Sequence, residues 1–429
     1  MTDIREPAGQ TAVGAAPSRR LAGWWLAILV IVAVVATGCS SNPDPAPTDS
    51  GDPGVAYDVN TSGTGPGALR AAQTMPYLDR RVTAQASTAL RIRYASTDGR
   101  TGAPTTVWGA VFVPSSARPA DGWDTVVLAH GTTGLLGECG VTLDPTLGDL
   151  AATAAAWLEQ GYVVVVPEYQ GLGYPGSSDP THPYLDARTE GMNVIDGVRA
   201  ARALVPGVST RWAALGGSQG GQAVWAANTL AGTYGAGLDL RGTASLSPAA
   251  QFSGLVDLAT RRQLTLDQYG LYTWLILAVQ QENPGFDLGK YVRGAAKSHW
   301  DELAQCLPVH AQARASILRS LSPDDLTPDS PADAAALTAL LARRAVPDQR
   351  PAAPMLVLYG GRDQLIDSRW TAAAIGSACA NGATLQSQFQ PDADHGGVSG
   401  DSVVGWILNR FDDEPAFSTC GTAPGSEQR

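Results

Sequence analysis

One serine stands in a setting that could make it a nucleophile. Residues 216–220 read Gly-Gly-Ser-Gln-Gly and fit G-x-S-x-G around Ser218. An apolar run (212–215) precedes them and a helix-compatible run (222–230) follows. Strand, tight turn and helix form the context in which such a serine is held in strained backbone geometry, its hydroxyl projecting above a sheet. A Cβ at Gly216 or Gly220 would crowd the crossing of strand and helix, which gives both glycines a steric reason. A serine hydroxyl also needs a base to take its proton. That base needs an acid to fix its tautomer and stabilise its cation.

On this architecture the order along the chain is Ser, then Asp or Glu, then His. Residues 354–360 (Pro-Met-Leu-Val-Leu-Tyr-Gly) read as a buried parallel strand that ends in Gly361-Arg362-Asp363, so Asp363 falls just past a strand's carboxyl end. A second strand is expected over 384–390, followed by Pro391-Asp392-Ala393-Asp394-His395-Gly396-Gly397. The chain has five histidines (His130, His182, His299, His310 and His395), and only His395 follows Asp363. Asp392, Asp394 and Asp367 are rival acids, but none lies directly behind a strong strand. The plain alternatives are a solvated loop histidine for His395 and, for Asp363, the N-cap of a helix starting near Ser368.

The negative oxygen that forms on an attacked carbonyl needs amides aimed at it. A strand over 124–129 leads into His130-Gly131-Thr132-Thr133-Gly134. The expected donors are the backbone N–H of Thr132 and that of Gln219, with the Thr132 hydroxyl as a candidate third. His130 reads as a brace for this loop rather than a proton carrier. The loop Gln170-Gly171-Leu172-Gly173, after the strand ending at Val166, should reach the same rim. Gly131, Gly171 and Leu172 are the expected lining of the substrate pocket. No G-x-G-x-x-G or Walker pattern occurs, so a phosphate cradle is poorly supported.

The elements that must position these residues alternate. Residues 88–97 and 105–113 look like paired antiparallel strands around an Asp98-Gly99 turn. Then come strand 124–129, helix 147–160, strand 162–166, helix 190–204, strand 212–215, helix 222–230 and strand 243–247. This is α/β: a doubly wound, mostly parallel sheet of α/β-hydrolase type, with ligands expected beyond the strand carboxyl ends. Alternation stops near Pro248 and resumes at Pro354. The residues between look helical, at 264–281, 289–307, 309–321 and 330–344. They are read as an inserted helical cap, 249–353, dividing a core of 76–248 and 354–420. Residues 271–279 carry no charge. They read first as a buried cap helix, with an acyl-binding or membrane-facing surface as the alternative.

The 429 residues are 44% hydrophobic and 16% charged, enough for one large α/β domain with an insertion. A net charge of −11 makes a nucleic-acid partner unlikely on electrostatic grounds. Arg19-Arg20 precede an apolar run (21–37) that is short for a membrane span and ends in Ala36-Thr37-Gly38-Cys39. That pattern is similar to a bacterial lipoprotein signal, with Cys39 lipidated at the mature N-terminus. An uncleaved anchor and simple secretion are the alternatives. Residues 40–56 read as a flexible tether. The expectation is an exported, membrane-anchored protein of the cell envelope. Cys139, Cys306, Cys379 and Cys420 remain, an even number that suggests two disulfides in one of three pairings. No Cys-x-x-Cys pair or zinc-ligand spacing occurs, so neither a metal nor another cofactor is expected.

Several motifs coincide. They are His130-Gly131-Thr132-Thr133-Gly134 with Cys139 close behind, residues 166–173 (Val-Pro-Glu-Tyr-Gln-Gly-Leu-Gly), His182-Pro183-Tyr184-Leu185, the elbow, and the insertion. Together they resemble the secretory lipase family, α/β-hydrolases of the lipase A type, from about residue 76 to 420. Glu168 stands where the family has Asp. The resemblance implies hydrolysis of acyl esters or acylglycerols, with Ser218, Asp363 and His395 as triad. It also implies the pairings Cys139–Cys306 and Cys379–Cys420. Rival readings are an envelope acyltransferase with the same triad, a serine peptidase, and a noncatalytic surface-binding lipoprotein.

Overall fold

The computed structural model describes residues 54–177 and 182–421. The signal reading, Cys39 and the tether up to residue 53 lie outside these. The last tether residues are already paired: Thr74 N–H donates to the Val55 carbonyl, and Ala56 bridges Gln73.

Nine strands form one sheet, in the order β1-β2-β3-β5-β4-β6-β7-β8-β9. They are β1 (Leu69–Thr74), β2 (Ala86–Thr97), β3 (Pro104–Pro114), β4 (Trp123–Ala129), β5 (Val163–Pro167), β6 (Val208–Gly217), β7 (Asp239–Leu246), β8 (Met355–Gly360) and β9 (Leu385–Gln390). β1 to β3 are antiparallel, as is the β3–β5 pair; from β5 through β9 every pair is parallel. This is the α/β architecture expected from the sequence, a mostly parallel sheet with an antiparallel edge.

The central strands read as unbroken apolar runs because helices cover both faces. Val127, Val163, Val165, Trp212 and Ala214 pack into one core with α3 (Ala187–Leu204) and α4 (Gln219–Ala231). Their neighbours Val126, Val164, Val166 and Ala213 enter a second core with α2 (Ala151–Glu159) and α12 (Asp401–Phe411). The period of two therefore sends alternate residues to opposite faces. The short helix α1 (Arg80–Gln85) belongs to the second face, through Val82.

Three expectations shift. The sheet starts before residue 76: β1 was hidden because its burial follows no strict alternation. The helix expected from 147 starts at Ala151, since Leu147, Gly148 and Asp149 all adopt positive φ. The helix expected over 289–307 is broken into a 3₁₀ turn at Leu288–Lys290, then α7 (Gly294–Ser298) and α8 (Trp300–Leu303).

Between β7 and β8 the chain forms α5 (Leu255–Thr260), α6 (Leu266–Glu282), α7, α8, α9 (Ala311–Ser320) and α10 (Pro331–Ala342). These helices share their own apolar cluster, which also takes in Leu135, Tyr184, Leu185 and Ile366 from loops at the sheet's rim. α6 starts with a capping box between Thr265 and Gln268. All of residues 271–279 are buried in this cluster, so they present no surface to lipid. Between β8 and β9, α11 (Ser368–Ala380) packs with both strands through Ala374 and Ala378. Disulfides join Cys139 to Cys306 and Cys379 to Cys420. The first ties the loop after β4 to the helical insertion.

Candidate active site

Ser218 occupies the turn between β6 and α4 at φ 55°, ψ −116°, a conformation that side-chain-bearing residues rarely hold. The turn closes because its neighbours lack side chains. A Cβ on Gly216 would lie 2.5 Å from the Gly220 carbonyl carbon, and one on Gly220 would lie 2.0 Å from the Ala129 carbonyl oxygen. Ser218 N–H donates to the Leu246 carbonyl at 2.9 Å, tying the elbow to the end of β7. The serine is half-buried.

Asp363 lies in the loop beyond β8, and His395 in the loop beyond β9. His395 Nδ1 donates to Asp363 Oδ2 at 2.7 Å. The other carboxylate oxygen accepts the N–H groups of Leu365 and Ile366, each at 2.8 Å. The Asp363 side chain is 3% exposed and that of His395 is 22%. With Nδ1 engaged, His395 Nε2 is the ring's remaining site; it is buried and has no hydrogen-bond partner among the described residues. The loop is fixed from below, because Ser247 Oγ donates to the His395 carbonyl at 2.9 Å. Ser247 follows directly on Leu246, so one short segment holds both the elbow and the histidine loop. The rival acids are occupied elsewhere. Asp392 pairs with Arg362 at the surface, Asp394 accepts the Gly397 N–H, and Asp367, not Asp363, caps α11.

Thr132 lies on the half-buried loop after β4, and its hydroxyl meets the Tyr184 hydroxyl at 2.8 Å. Gln219 is the first residue of α4, so its N–H has no intrahelical acceptor. Its side chain is buried and firmly held: Nε2 donates to Glu190 Oε1 at 2.7 Å and to His182 Nε2 at 2.8 Å. His182 Nδ1 in turn donates to the Gln170 carbonyl. One proton on Nδ1 and a lone pair on Nε2 make this a neutral imidazole. Burial agrees, pushing the His182 pKa down to about 3. Burial also lifts the Glu190 carboxyl well above its ordinary value.

Behind the same loop, His130 Nδ1 donates to the Gly131 carbonyl, and Nε2 faces Glu168 Oε2 at 3.3 Å with both side chains buried. Burial by itself would raise the Glu168 carboxyl, but His130 and the Thr142 N–H outweigh it and hold it low. Of the expected pocket residues, Gly131 and Gly171 lie on the two rim loops, Gly171 with φ 89°. Leu172 is fully buried in the core and shows no surface. Sequence reasoning gave no role to His182, Tyr184, Glu190 or Ser247. The first two stood in a motif of the resemblance; the others carry no local signal.

A strained serine elbow at the sheet's crossing point, and an Asp–His pair past two later strands, are the marks of an α/β-hydrolase. The computed fold is similar to Candida antarctica lipase A in its closed state, with TM-score 0.67, 16% identity, and 89% of this chain and 90% of that chain covered. It is also similar to the rice cell wall degrading esterase LipA of Xanthomonas oryzae, as its N228W mutant, with TM-score 0.59, 22% identity, and 82% and 97% covered. No curated protein matches the chain in sequence. The secretory lipase family profile matches residues 149–419, and the chain belongs to that family. It is a carboxylic ester hydrolase of the lipase and esterase kind, and the family together with the two disulfides makes it an exported protein.

Proposed function

We propose that this hydrolase cleaves acyl esters through a Ser218–His395–Asp363 triad and an acyl-enzyme. The observation that carries the reading is the 2.7 Å Asp363–His395 hydrogen bond, which leaves His395 Nε2 unpartnered. Ser218 Oγ attacks the ester carbonyl carbon as its proton passes to Nε2. Asp363 stabilises the imidazolium. The oxyanion is held by the N–H groups of Thr132 and Gln219. Collapse of the intermediate expels the alcohol, which takes the proton from His395. Water then attacks the acyl-enzyme, with His395 again as base, and releases the acid.

The insertion 249–353 acts as a roof in this reading. Its apolar cluster packs onto Leu135 beside the Thr132 loop and onto Ile366 beside Asp363. Gly131, half-buried on the loop after β4, lines the substrate pocket beneath it, whereas Gly171 is buried. Replacing Ser218 with alanine is expected to lower kcat on p-nitrophenyl esters by about 10⁶-fold while the protein stays folded. A variant that hydrolyses these esters at the parent rate removes the triad from consideration. Alcohol acceptors added to the same assay distinguish hydrolysis from acyl transfer.

Anchoring is part of the proposal. Cys39, after Ala36-Thr37-Gly38, is the lipidated residue, and residues 40–53 span from membrane to enzyme. Among the described residues no helix is long and apolar enough to cross a membrane. Metabolic labelling with a palmitate analogue should mark the parent chain and leave Cys39→Ser unmarked. Equal labelling of both rules out this attachment site.

A further inference from the structure

We propose that Tyr184 is a positioning residue that frees the Thr132 hydroxyl to serve as a third donor to the oxyanion. The inference rests on the ester-hydrolase reading above. Its starting point is the 2.8 Å contact between the two hydroxyls, in which the proton can run either way. The surroundings choose the direction. Tyr184 is 2% exposed, and Thr132 is the one hydrogen-bond partner of its hydroxyl among the described residues. If Thr132 donated, the phenol O–H would be buried with no acceptor, which is the costly arrangement. If Tyr184 donates, both hydroxyls are satisfied once Thr132 finds an acceptor of its own. Thr132 is half-buried and follows Gly131, where an added Cβ would lie 3.7 Å from the Gly217 carbonyl beside Ser218; in the proposed mechanism the acceptor it meets there is the substrate oxygen. A hydroxyl that accepts from a phenol is also polarised into a better donor.

Tyr184 is well built for this. Burial keeps the phenol protonated, since its pKa is raised. The ring meets Trp274 of α6 edge-on, with centroids 5.9 Å apart, and His182 at the same distance. Its N–H donates to the His182 carbonyl, and its own carbonyl accepts Arg344 Nη1 at 2.7 Å. The next residue, Leu185, is held at φ 55° by Glu190 on its N–H and Gln222 on its carbonyl. The turn that aims Tyr184 at Thr132 also carries His182, which receives the Gln219 side chain. One buried turn therefore grips both walls of the oxyanion site.

A double-mutant cycle tests this in residues 40–429, with Ser218→Ala alongside. The readouts are kcat and KM for p-nitrophenyl butyrate, the rate of inactivation by a fluorophosphonate, and melting temperature. Thr132→Val should lower kcat about 10–100-fold, towards the range seen when one oxyanion donor is removed. Tyr184→Phe, which keeps the ring, should lower kcat about 5–10-fold with KM and melting temperature near the parent values. The double variant should be no worse than Thr132→Val alone, because Tyr184 acts through Thr132. Thr132→Ser should restore most of the rate. Full kcat in Tyr184→Phe, losses that multiply in the double variant, or a loss confined to KM or stability overturns the inference. Turnover by Ser218→Ala overturns the underlying reading instead. Should the ester not be turned over by the parent, the inactivation rates carry the same cycle, because phosphonylation of Ser218 places a P–O oxygen in the same site. A parent that neither turns over nor labels sinks both.

Discussion

Asp363 and His395 meet across two loops at the open ends of β8 and β9, and the histidine keeps 22% of its side chain exposed. Thr132 and Gln219 are gripped from behind by His182, Tyr184, Glu190 and the His130–Glu168 pair, all buried. In the proposed mechanism His395 gains and loses a proton in each turnover while Asp363 balances its charge. The second pair, in the same proposal, presents fixed dipoles to a charge that exists only in the transition state. A fixed dipole is useful because it needs no reorganisation when the charge appears. A dry, many-membered network on one side and a loop pair joined by one side-chain hydrogen bond on the other suit these two tasks.

The largest effect should come from breaking the Asp363–His395 pair. Asp363→Asn keeps the shape but cannot hold His395 in the Nδ1–H tautomer or balance its charge. A kcat loss of about 10³–10⁴ is expected, with little change in melting temperature. Steady-state kinetics and a thermal melt on the same sample check this. Parent-like kcat would mean that another acid orients His395.

Breaking the buried side should register first in stability. Glu168→Ala leaves the buried His130 imidazole without its carboxylate neighbour and the Thr142 N–H without its acceptor, in a place that water does not reach. Removing one partner of such a pair costs about 3–5 kcal/mol. Urea unfolding measures it. A second change, His130→Phe, should recover part of the loss, since an apolar ring leaves no buried ring nitrogen without a partner. A Glu168→Ala protein as stable as the parent would show that the pair contributes nothing.

The same contrast explains what the sequence disclosed. Ser218, Asp363 and His395 follow from chain direction and strand ends alone: an elbow, an acid past a strand, and the one histidine after it. The parallel core was legible because strands covered on both faces are written as uninterrupted valine. The network behind the oxyanion site has no such signature. Gln219 and His182 are 37 residues apart, Thr132 and Tyr184 are 52 apart, and the Arg344 contact to the Tyr184 carbonyl spans 160. No periodicity links them; only the packing of α3 against α4 and of the insertion against the rim does. The helix expected over 190–204 starts three residues earlier, at Ala187 under the Asp186 cap, and Glu190 in its first turn is completely buried.

That burial gives the subtlest test. Glu190 stays protonated in the fold at pH values where the unfolded chain, with the ordinary value of 4.5, has released its proton. The unfolded chain then binds fewer protons than the native one. Stability therefore falls as pH rises above about 4.5, until the buried carboxyl itself ionises. His182 works from the other side. Its native pKa of about 3 lies below the ordinary 6.5, so the unfolded chain binds more protons between these values and stability falls as pH drops through that window. The turn is thus squeezed from both directions. Glu190→Gln retains an oxygen for the Leu185 N–H and for Gln219 but cannot ionise, so the decline in melting temperature above pH 4.5 should become shallower. Asp186 and Asp196, also raised by burial, leave a residual slope. The acid-side decline set by His182 should be unchanged in the same variant. Melting curves from pH 3 to 9 check both limbs. An unaltered alkaline slope would mean that Glu190 is charged in the fold, and that the Gln219 side chain is held by an anion rather than by a neutral acid.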